Sequence, residues 1–228
     1  MANKEMNKND ENLAHVQETL SKSETFIENN HKQISYLLGG IVIVVLAVLA
    51  VRNFYLRPRE QEAADKMTLC TRYFERDSFN TALNGDGLNE GFAEIASHYT
   101  FTKSAKLAAF YAGVCSYHLG QYNEAIDYLK KANLKSVNLT PIGEGLMGDC
   151  YVELDNAAEA VKHFEAAAKI DNEMTAPIYL KKAALAYEAL GNYDKALQHY
   201  ETIKNKYFNS RQAAEADRFI ERTKALKK

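Results

Sequence analysis

An eight-residue pattern occurs three times in this chain of 228 residues and constrains its fold more than any other feature. It reads LGQYNEAI in residues 119–126, LDNAAEAV in residues 154–161 and LGNYDKAL in residues 190–197. The alanine at its seventh position recurs after 35 and then 36 residues. A repeat of that length predicts pairs of helices, each pair stacked on the next.

Apolar and small residues surround each copy of the pattern at helical spacing. The repeated alanines are followed after four and seven residues by Leu129 and Ala132, by Phe164 and Ala167, and by Tyr200 and Ile203. Gly113, Gly148 and Ala184 precede the turn of each copy by seven residues. The first set predicts a buried helix face, and the small residues predict a close approach of two helices.

With this register, residues 107–207 resemble the tetratricopeptide repeat family. Tyr151 and Tyr187 occupy the tyrosine position of that family's first helix, whereas Ser116, Asp155 and Phe208 depart from its pattern. The resemblance implies an all-α fold, a solenoid of helical hairpins that binds other proteins and performs no catalysis.

The rest of the chain is assigned around these repeats. We expect a mobile polar tail over 1–33, a transmembrane helix and interface over 34–56, a degenerate opening repeat over 57–104, three repeats over 105–209 and a capping helix over 210–228. In the capping helix, Ser210 is predicted to cap the N-terminus, and Ala214, Phe219 and Ile220 are predicted to face inward.

Charge and cysteine usage exclude several classes of function. The net charge is −2, and the part of the chain after residue 51 carries equal numbers of basic and acidic residues, so a nucleic-acid partner is not expected. Cys70, Cys115 and Cys150 lack metal-binding spacing and are predicted to be buried free thiols.

Residues Ile34 to Val51 form an uncharged apolar stretch that would span about 27 Å as a helix. Tyr36 on one side and Phe54 and Tyr55 on the other suit the two membrane interfaces. A buried soluble helix and a cleaved signal peptide are the alternatives. The apolar character on every face and the long polar segment before it favour an uncleaved anchor in the lipid bilayer.

Two observations on the flanks of this stretch disagree about its orientation. Four basic residues, Arg52, Arg57, Arg59 and Lys66, lie within 20 residues after it, but only two lie within 20 residues before it, which places the repeats in the cytoplasm. The segment FIENNHK that begins at Phe26 and precedes the span resembles the ancillary Sec-translocon subunit family of bacterial inner membranes, with Phe26, Asn30 and Lys32 as the matching positions. That resemblance implies a periplasmic repeat domain, and it is the orientation that we expect.

A protein-binding groove is predicted on the first helices of the repeats. Its candidate residues are Phe110, Val114, Tyr117, Asp149, Val152, Lys181, Leu185 and Glu188. They suit peptide or helical segments with hydrophobic side chains. No catalytic residue, metal ligand or cofactor site is predicted, and the lysine and asparagine positions that the family uses to clamp chaperone C-termini are not matched.

The sequence thus favours a membrane-anchored scaffold, with no catalytic activity, at the outer side of the inner membrane. The expected partners are the Sec translocon, envelope chaperones or non-native envelope proteins. The alternative is a cytoplasm-facing adaptor that is tethered to the membrane for signalling or complex assembly.

Overall fold

The computed structural model describes residues 29–33, 35–170 and 173–227, and these residues form helices and turns without a strand. The chain divides into two compact units, Met1–Arg57 and Pro58–Lys228. The all-α prediction therefore holds for the described part of the chain.

The described part of the first unit is helical. Helix α1 covers residues 29–33 and 35–50, and a π-helical stretch, Val51–Leu56, follows it. Every described residue from 35 to 55 is exposed. In the described chain one helical run, Asn29–Phe74, is long and apolar enough to cross a membrane, judged by length and composition.

Five residues of the predicted polar tail, 29–33, lie in the described part of the chain and are helical. The remainder of the predicted tail, including Phe26, lies outside the described residues, as does Ile34 at the start of the predicted span.

The second unit contains ten helices in its described residues. They are α2 (Arg57–Phe74), α3 (Phe79–Asn84), α4 (Phe92–His98), α5 (Lys103–His118), α6 (Tyr122–Ala132), α7 (Leu139–Glu153), α8 (Ala157–Lys169), α9 (Ala176–Ala189), α10 (Tyr193–Lys206) and α11 (Arg211–Leu226). Helix α2 begins at Arg57, one residue before the start of the second unit. Helices α5 and α6, α7 and α8, and α9 and α10 pack as consecutive hairpins.

The repeated positions form the contacts inside each hairpin. The seventh-position alanines of the pattern are fully buried, and so are the large apolar residues that follow them, such as Phe164 and Tyr200. Gly148 of α7 lies against the Phe164 ring, and a Cβ atom there would be 2.5 Å from Phe164 Cε1. The close approach predicted from the small residues is confirmed.

The turn between the two helices of each hairpin needs a left-handed residue. Gly120 and Gly191 supply it with φ of 75° and 70°, and Asp155 occupies the equivalent position with φ of 55°. Aspartate tolerates this region better than most side chains, so the hairpin survives the loss of glycine. Asn156 and Asn192, which follow the second and third turns, each accept a backbone N–H bond at the start of the next helix.

The region before the first hairpin contains one long helix and two short ones. Ala63, Met67 and Cys70 are the buried face of α2. A loop separates α3 from α4, and Asp86 stabilises it by accepting hydrogen bonds from the N–H groups of Leu88 and Asn89 at 2.9 and 2.7 Å. A hydrogen bond from the Asn89 side chain, together with these two backbone bonds, lowers the pKa of Asp86.

Helix α11 packs against the last hairpin. The Ser210 hydroxyl accepts a hydrogen bond from Ala213 N at 3.1 Å, and Phe219 and Ile220 are buried. The prediction that Ala214 faces inward is wrong, because Ala214 is exposed and Ala216 is buried. The buried face of α11 follows positions 216, 219, 220 and 223, and position 214 lies off that face.

The three cysteines are free and buried, as predicted. Cys70 and Cys115 belong to one apolar cluster at the start of the unit, and Cys150 belongs to another with Ala125 and Ile126. Burial raises the pKa of Cys70 to about 11 and the pKa values of Cys115 and Cys150 to about 12. These thiols therefore stay protonated at neutral pH.

Candidate functional site

An apolar cavity of about 620 Å³ lies between the second and third hairpins. It is formed by α7, the α7–α8 turn, α8 and α9, and we call it the inter-repeat groove. Its apolar surface includes Val152, Leu185 and Leu190, which are 47%, 38% and 48% exposed. Exposed aliphatic side chains that line a concave surface of this volume are typical of a binding site.

One ion pair lies at the edge of the inter-repeat groove. Lys182 Nζ donates to Asp149 Oδ1 and Oδ2 at 2.7 and 2.6 Å, and it also lies 5.7 Å from the centre of the Phe164 ring. Both charged side chains are partly exposed, so the pair contributes only about 0.2–1 kcal/mol to stability.

The structure brings three of the eight predicted groove residues together in this groove. They are Asp149, Val152 and Leu185, on two neighbouring first helices. This cavity lies at the junction of two repeats, and the other five predicted residues lie outside it.

Phe110 is a correction to the predicted set. Its side chain is 6% exposed and packs in an apolar cluster with Leu129 and Met147. Gly143 of α7 also faces its ring, and a Cβ atom there would lie 3.8 Å from the nearest ring atom, which is an ordinary contact distance. Phe110 packs two hairpins together and does not line the groove.

The other four predicted residues contact other parts of the protein. Lys181 donates to Glu215 of α11 at 2.6 Å, and Glu188 accepts hydrogen bonds from Arg222 and Thr223 of α11. Val114 and Tyr117 are partly buried against the apolar clusters between the first two hairpins. Lys181 and Glu188 thus attach the last helix to the third repeat.

The sequence interpretation missed Lys182 and Leu190 as groove residues. Leu190 begins the third copy of the eight-residue pattern, and the equivalent Leu119 and Leu154 are also exposed. The signal for this surface was a leucine that recurs at each hairpin turn, where its side chain is not buried in the core. Lys182 had no such signal, because its role depends on Asp149 in the preceding repeat.

The histidines of the second and third hairpins are packing residues. His163 stacks on Tyr151 and forms a hydrogen bond with Glu144 at 2.8 Å, and His199 stacks on Tyr187. Glu165 lies 3.1 Å from His199, but burial dominates and lowers the pKa of His199. The same stacking on a tyrosine in two consecutive repeats is typical of a packing position.

In the described part of the chain, the histidines, cysteines and carboxylates do not form a nucleophilic or metal-binding site. The high pKa of the buried Cys150 thiol disfavours the thiolate that a nucleophile requires. Among the residues that the structure places, no group of three or more histidine, cysteine, aspartate and glutamate side chains is arranged to hold a metal ion. A binding surface is the site that the geometry supports.

The fold and the groove define the class: a solenoid of helical hairpins with a peptide-sized groove between repeats. One family model, described as tetratricopeptide repeat, matches residues 107–133 and 180–210. A second model with that description matches residues 145–174. The three hairpins are therefore tetratricopeptide repeats. Proteins of this fold are typically protein-binding scaffolds without enzymatic activity.

A solved structure agrees with this fold. The chain is 16% identical in sequence to a crystal structure of MamA protein, with a TM-score of 0.57. The match covers 72% of this chain and 84% of the MamA chain. A second MamA crystal structure is 20% identical over 59% of this chain and 88% of its own, with a TM-score of 0.41. The first repeat domain of Spaghetti (RPAP3), bound to an HSP90 peptide, is 22% identical over 53% of this chain and 93% of its own, with a TM-score of 0.43. A comparison with curated proteins found no match.

Proposed function

We propose that this protein is a membrane-anchored scaffold whose inter-repeat groove binds hydrophobic segments of other proteins. The observation that carries the proposal is the groove itself, with the exposed Val152, Leu185 and Leu190 between two repeats. Side chains of this kind lose contact with water when a partner covers them, which favours binding.

The chemistry of the groove favours hydrophobic segments over the charged C-termini that some repeat proteins clamp. Lys181 and Lys182 are paired with Glu215 and Asp149, so neither lysine is available for a free carboxylate without first breaking an ion pair. The larger part of the groove surface is aliphatic. A partner that offers leucine-like side chains therefore gains more from the groove than one that offers an anion.

The proposed anchor is the apolar helix of the first unit. Its described side chains from residue 35 to residue 51 carry no charge and are exposed, which is the pattern of a helix that faces lipid on all sides. Attachment to a membrane raises the effective concentration of the groove near other membrane complexes, so modest affinity is sufficient.

Affinity purification tests the proposed binding. The full-length chain is purified in mild detergent as the wild type, as Leu185→Glu and as Leu88→Glu. Leu88 is 94% exposed in the α3–α4 loop and is not among the residues that line the groove, so it is a matched control for the new charge. We expect Leu185→Glu to lose co-purifying proteins that both other forms retain. Equal recovery from all three forms would contradict a role for the groove.

The proposed location is the outer side of a bacterial inner membrane, near the protein-translocation or chaperone machinery. This part of the proposal follows the resemblance of residues 26–32 and of the chain layout to the ancillary Sec-translocon subunits. The Sec translocon, envelope chaperones and non-native envelope proteins are the corresponding partners.

A cytoplasm-facing adaptor is the second candidate, and the basic residues after the span favour it. In the structure, Arg59 donates to the His98 carbonyl and lies 5.2 Å from the centre of the Tyr99 ring. Arg59 therefore makes structural contacts within the second unit. These contacts explain a basic residue at this position without reference to membrane orientation. Arg52 and Arg57 remain as the charges that support this alternative.

Thiol labelling distinguishes the two orientations. Since the native cysteines are buried, a membrane-impermeant maleimide should react only with a cysteine introduced at an exposed site such as Leu88→Cys. Labelling in intact spheroplasts supports the outer side. Labelling that requires lysis would establish the cytoplasmic adaptor instead, and it would leave the binding experiment above unaffected.

A further inference from the structure

A second cavity, of about 470 Å³, lies where α4, α5 and α6 meet. We call it the α4–α6 cavity. Four alanines, two from α4 and two from α5, form its apolar part, so no large side chain of the protein fills it. It is formed by other helices than the inter-repeat groove, and the two share no residue.

Two lysines from different helices line the α4–α6 cavity. Lys106 lies on α5 and Lys131 lies on α6, and both are exposed. Among the residues that the structure describes, neither has a carboxylate partner. The cavity lining includes no aspartate or glutamate. Its electrostatic complement is therefore an anion with more than one negative group.

Aromatic side chains lie beside these cations. Lys131 Nζ is 5.4 Å from the centre of the Tyr128 ring, an arrangement that leaves its N–H groups free for a carboxylate. Phe101 has φ of 70° and is 86% exposed. The turn that carries it is fixed by Thr102, whose hydroxyl donates to the Tyr99 carbonyl at 2.6 Å and accepts from Ala105 N at 3.0 Å. The turn thus holds the Phe101 ring beside the cavity and exposed to solvent, although burial of the ring would be more favourable.

We propose that the α4–α6 cavity is a docking site for an acidic peptide segment of a partner protein, with an aromatic or aliphatic side chain between carboxylates. The apolar side chain occupies the space above the alanines and contacts Phe101 and Tyr128. Carboxylates on either side bind Lys106 and Lys131. Because these two cations stand on separate helices, they fit separated charges along a peptide better than the single carboxylate of a fatty acid.

Peptide binding to the full-length chain in phosphatidylcholine nanodiscs tests this site. The probe is a fluorescein-labelled peptide, Glu-Glu-Phe-Glu-Glu, and its counterpart replaces each glutamate by lysine. Fluorescence anisotropy should show binding of the acidic peptide only, with an affinity that falls as salt is added. The Lys106→Glu/Lys131→Glu variant should bind at least about tenfold more weakly.

The control variant is Lys130→Glu/Lys135→Glu, which changes the net charge by the same amount at exposed lysines that do not line the cavity. It should bind within about twofold of the wild type if the cavity, rather than overall charge, holds the peptide. Equal weakening by both variants, binding of the lysine peptide, or binding of dodecanoate without binding of the acidic peptide would overturn the proposal. None of these results depends on the inter-repeat groove, which the Leu185→Glu variant tests separately.

Discussion

Gly145 of α7 provides a quantitative test of how the second and third repeats pack. A Cβ atom at this position would lie 1.9 Å from Cε1, 2.4 Å from Cζ and 2.7 Å from the hydroxyl of Tyr179. The Tyr179 side chain belongs to a buried cluster with Ala160, Val161 and Phe164, so its ring has little room to move. Helices α7 and α9 must therefore separate in Gly145→Ala.

The magnitude follows from two opposing effects. Overpacking of this severity costs about 3 kcal/mol, whereas replacing a helical glycine by alanine gains about 1 kcal/mol. The net loss of about 2 kcal/mol corresponds to a fall in Tm of about 4–8 °C for a domain of this size. Thermal unfolding of the full-length chain in mild detergent, followed by far-UV circular dichroism, measures it.

Gly143→Ala in the same helix is the matched control. The nearest atom to a Cβ there is Phe110 Cε2 at 3.8 Å, an ordinary contact, so only the gain of about 1 kcal/mol applies and Tm should rise by about 2–4 °C. A further variant, Gly145→Ala/Tyr179→Leu, should be less destabilised than the sum of its single changes. Equal Tm values for Gly145→Ala and Gly143→Ala would refute the packing described for α7 and α9.

Three further predictions concern thiols, one histidine and the hairpin turns. The native cysteines should not react with a thiol reagent at about pH 8 until the protein is unfolded, because burial keeps them protonated; rapid reaction of the folded protein would contradict this. Since the folded pKa of His199 is below its unfolded value, its neutral form contributes stability above about pH 6.5 that is lost as the pH falls through the folded pKa. Urea unfolding of His199→Gln between about pH 7 and pH 5 should show a weaker pH dependence than that of the wild type, and an unchanged slope would count against it. At the turns, Gly191→Ala should cost about 1 kcal/mol because φ is 70°, whereas Asp155→Gly should be neutral or slightly stabilising; chemical denaturation compares the two, and a stabilised Gly191→Ala would refute the assignment.

The sequence was sufficient for the hairpins, because their contacts repeat. Leu129, Phe164 and Tyr200 each pack on the small residue of their own repeat, so three copies indicated one geometry. In the last helix the cap at Ser210 and the burial of Phe219 and Ile220 were predicted correctly, but the inward orientation of Ala214 was not. A helix turns by about 100° per residue, and nothing near Ala214 showed which of several small residues faced the core.

The candidate groove was predicted only in part, because its surface depends on pairs of residues from different repeats. Phe110 is buried because it packs against Leu129 of its own repeat and Met147 of the next one, more than 30 residues later. Lys182 lies at the groove because Asp149 of the preceding repeat binds it. Such pairings have no local pattern along the chain. The α4–α6 cavity was not predicted for the same reason, because a few residues from each of three helices form it.

Photo-crosslinking from Leu185 in living cells is the most direct test of the central claim that the inter-repeat groove binds other proteins. A photoreactive amino acid replaces Leu185 in the full-length chain, alone or together with Val152→Glu, and replaces Leu88 in a separate control. We predict protein adducts from position 185 that decrease strongly when Val152 is replaced, and no such adducts from position 88. The same adducts from both positions, or adducts from position 185 that are unaffected by Val152→Glu, would contradict the account.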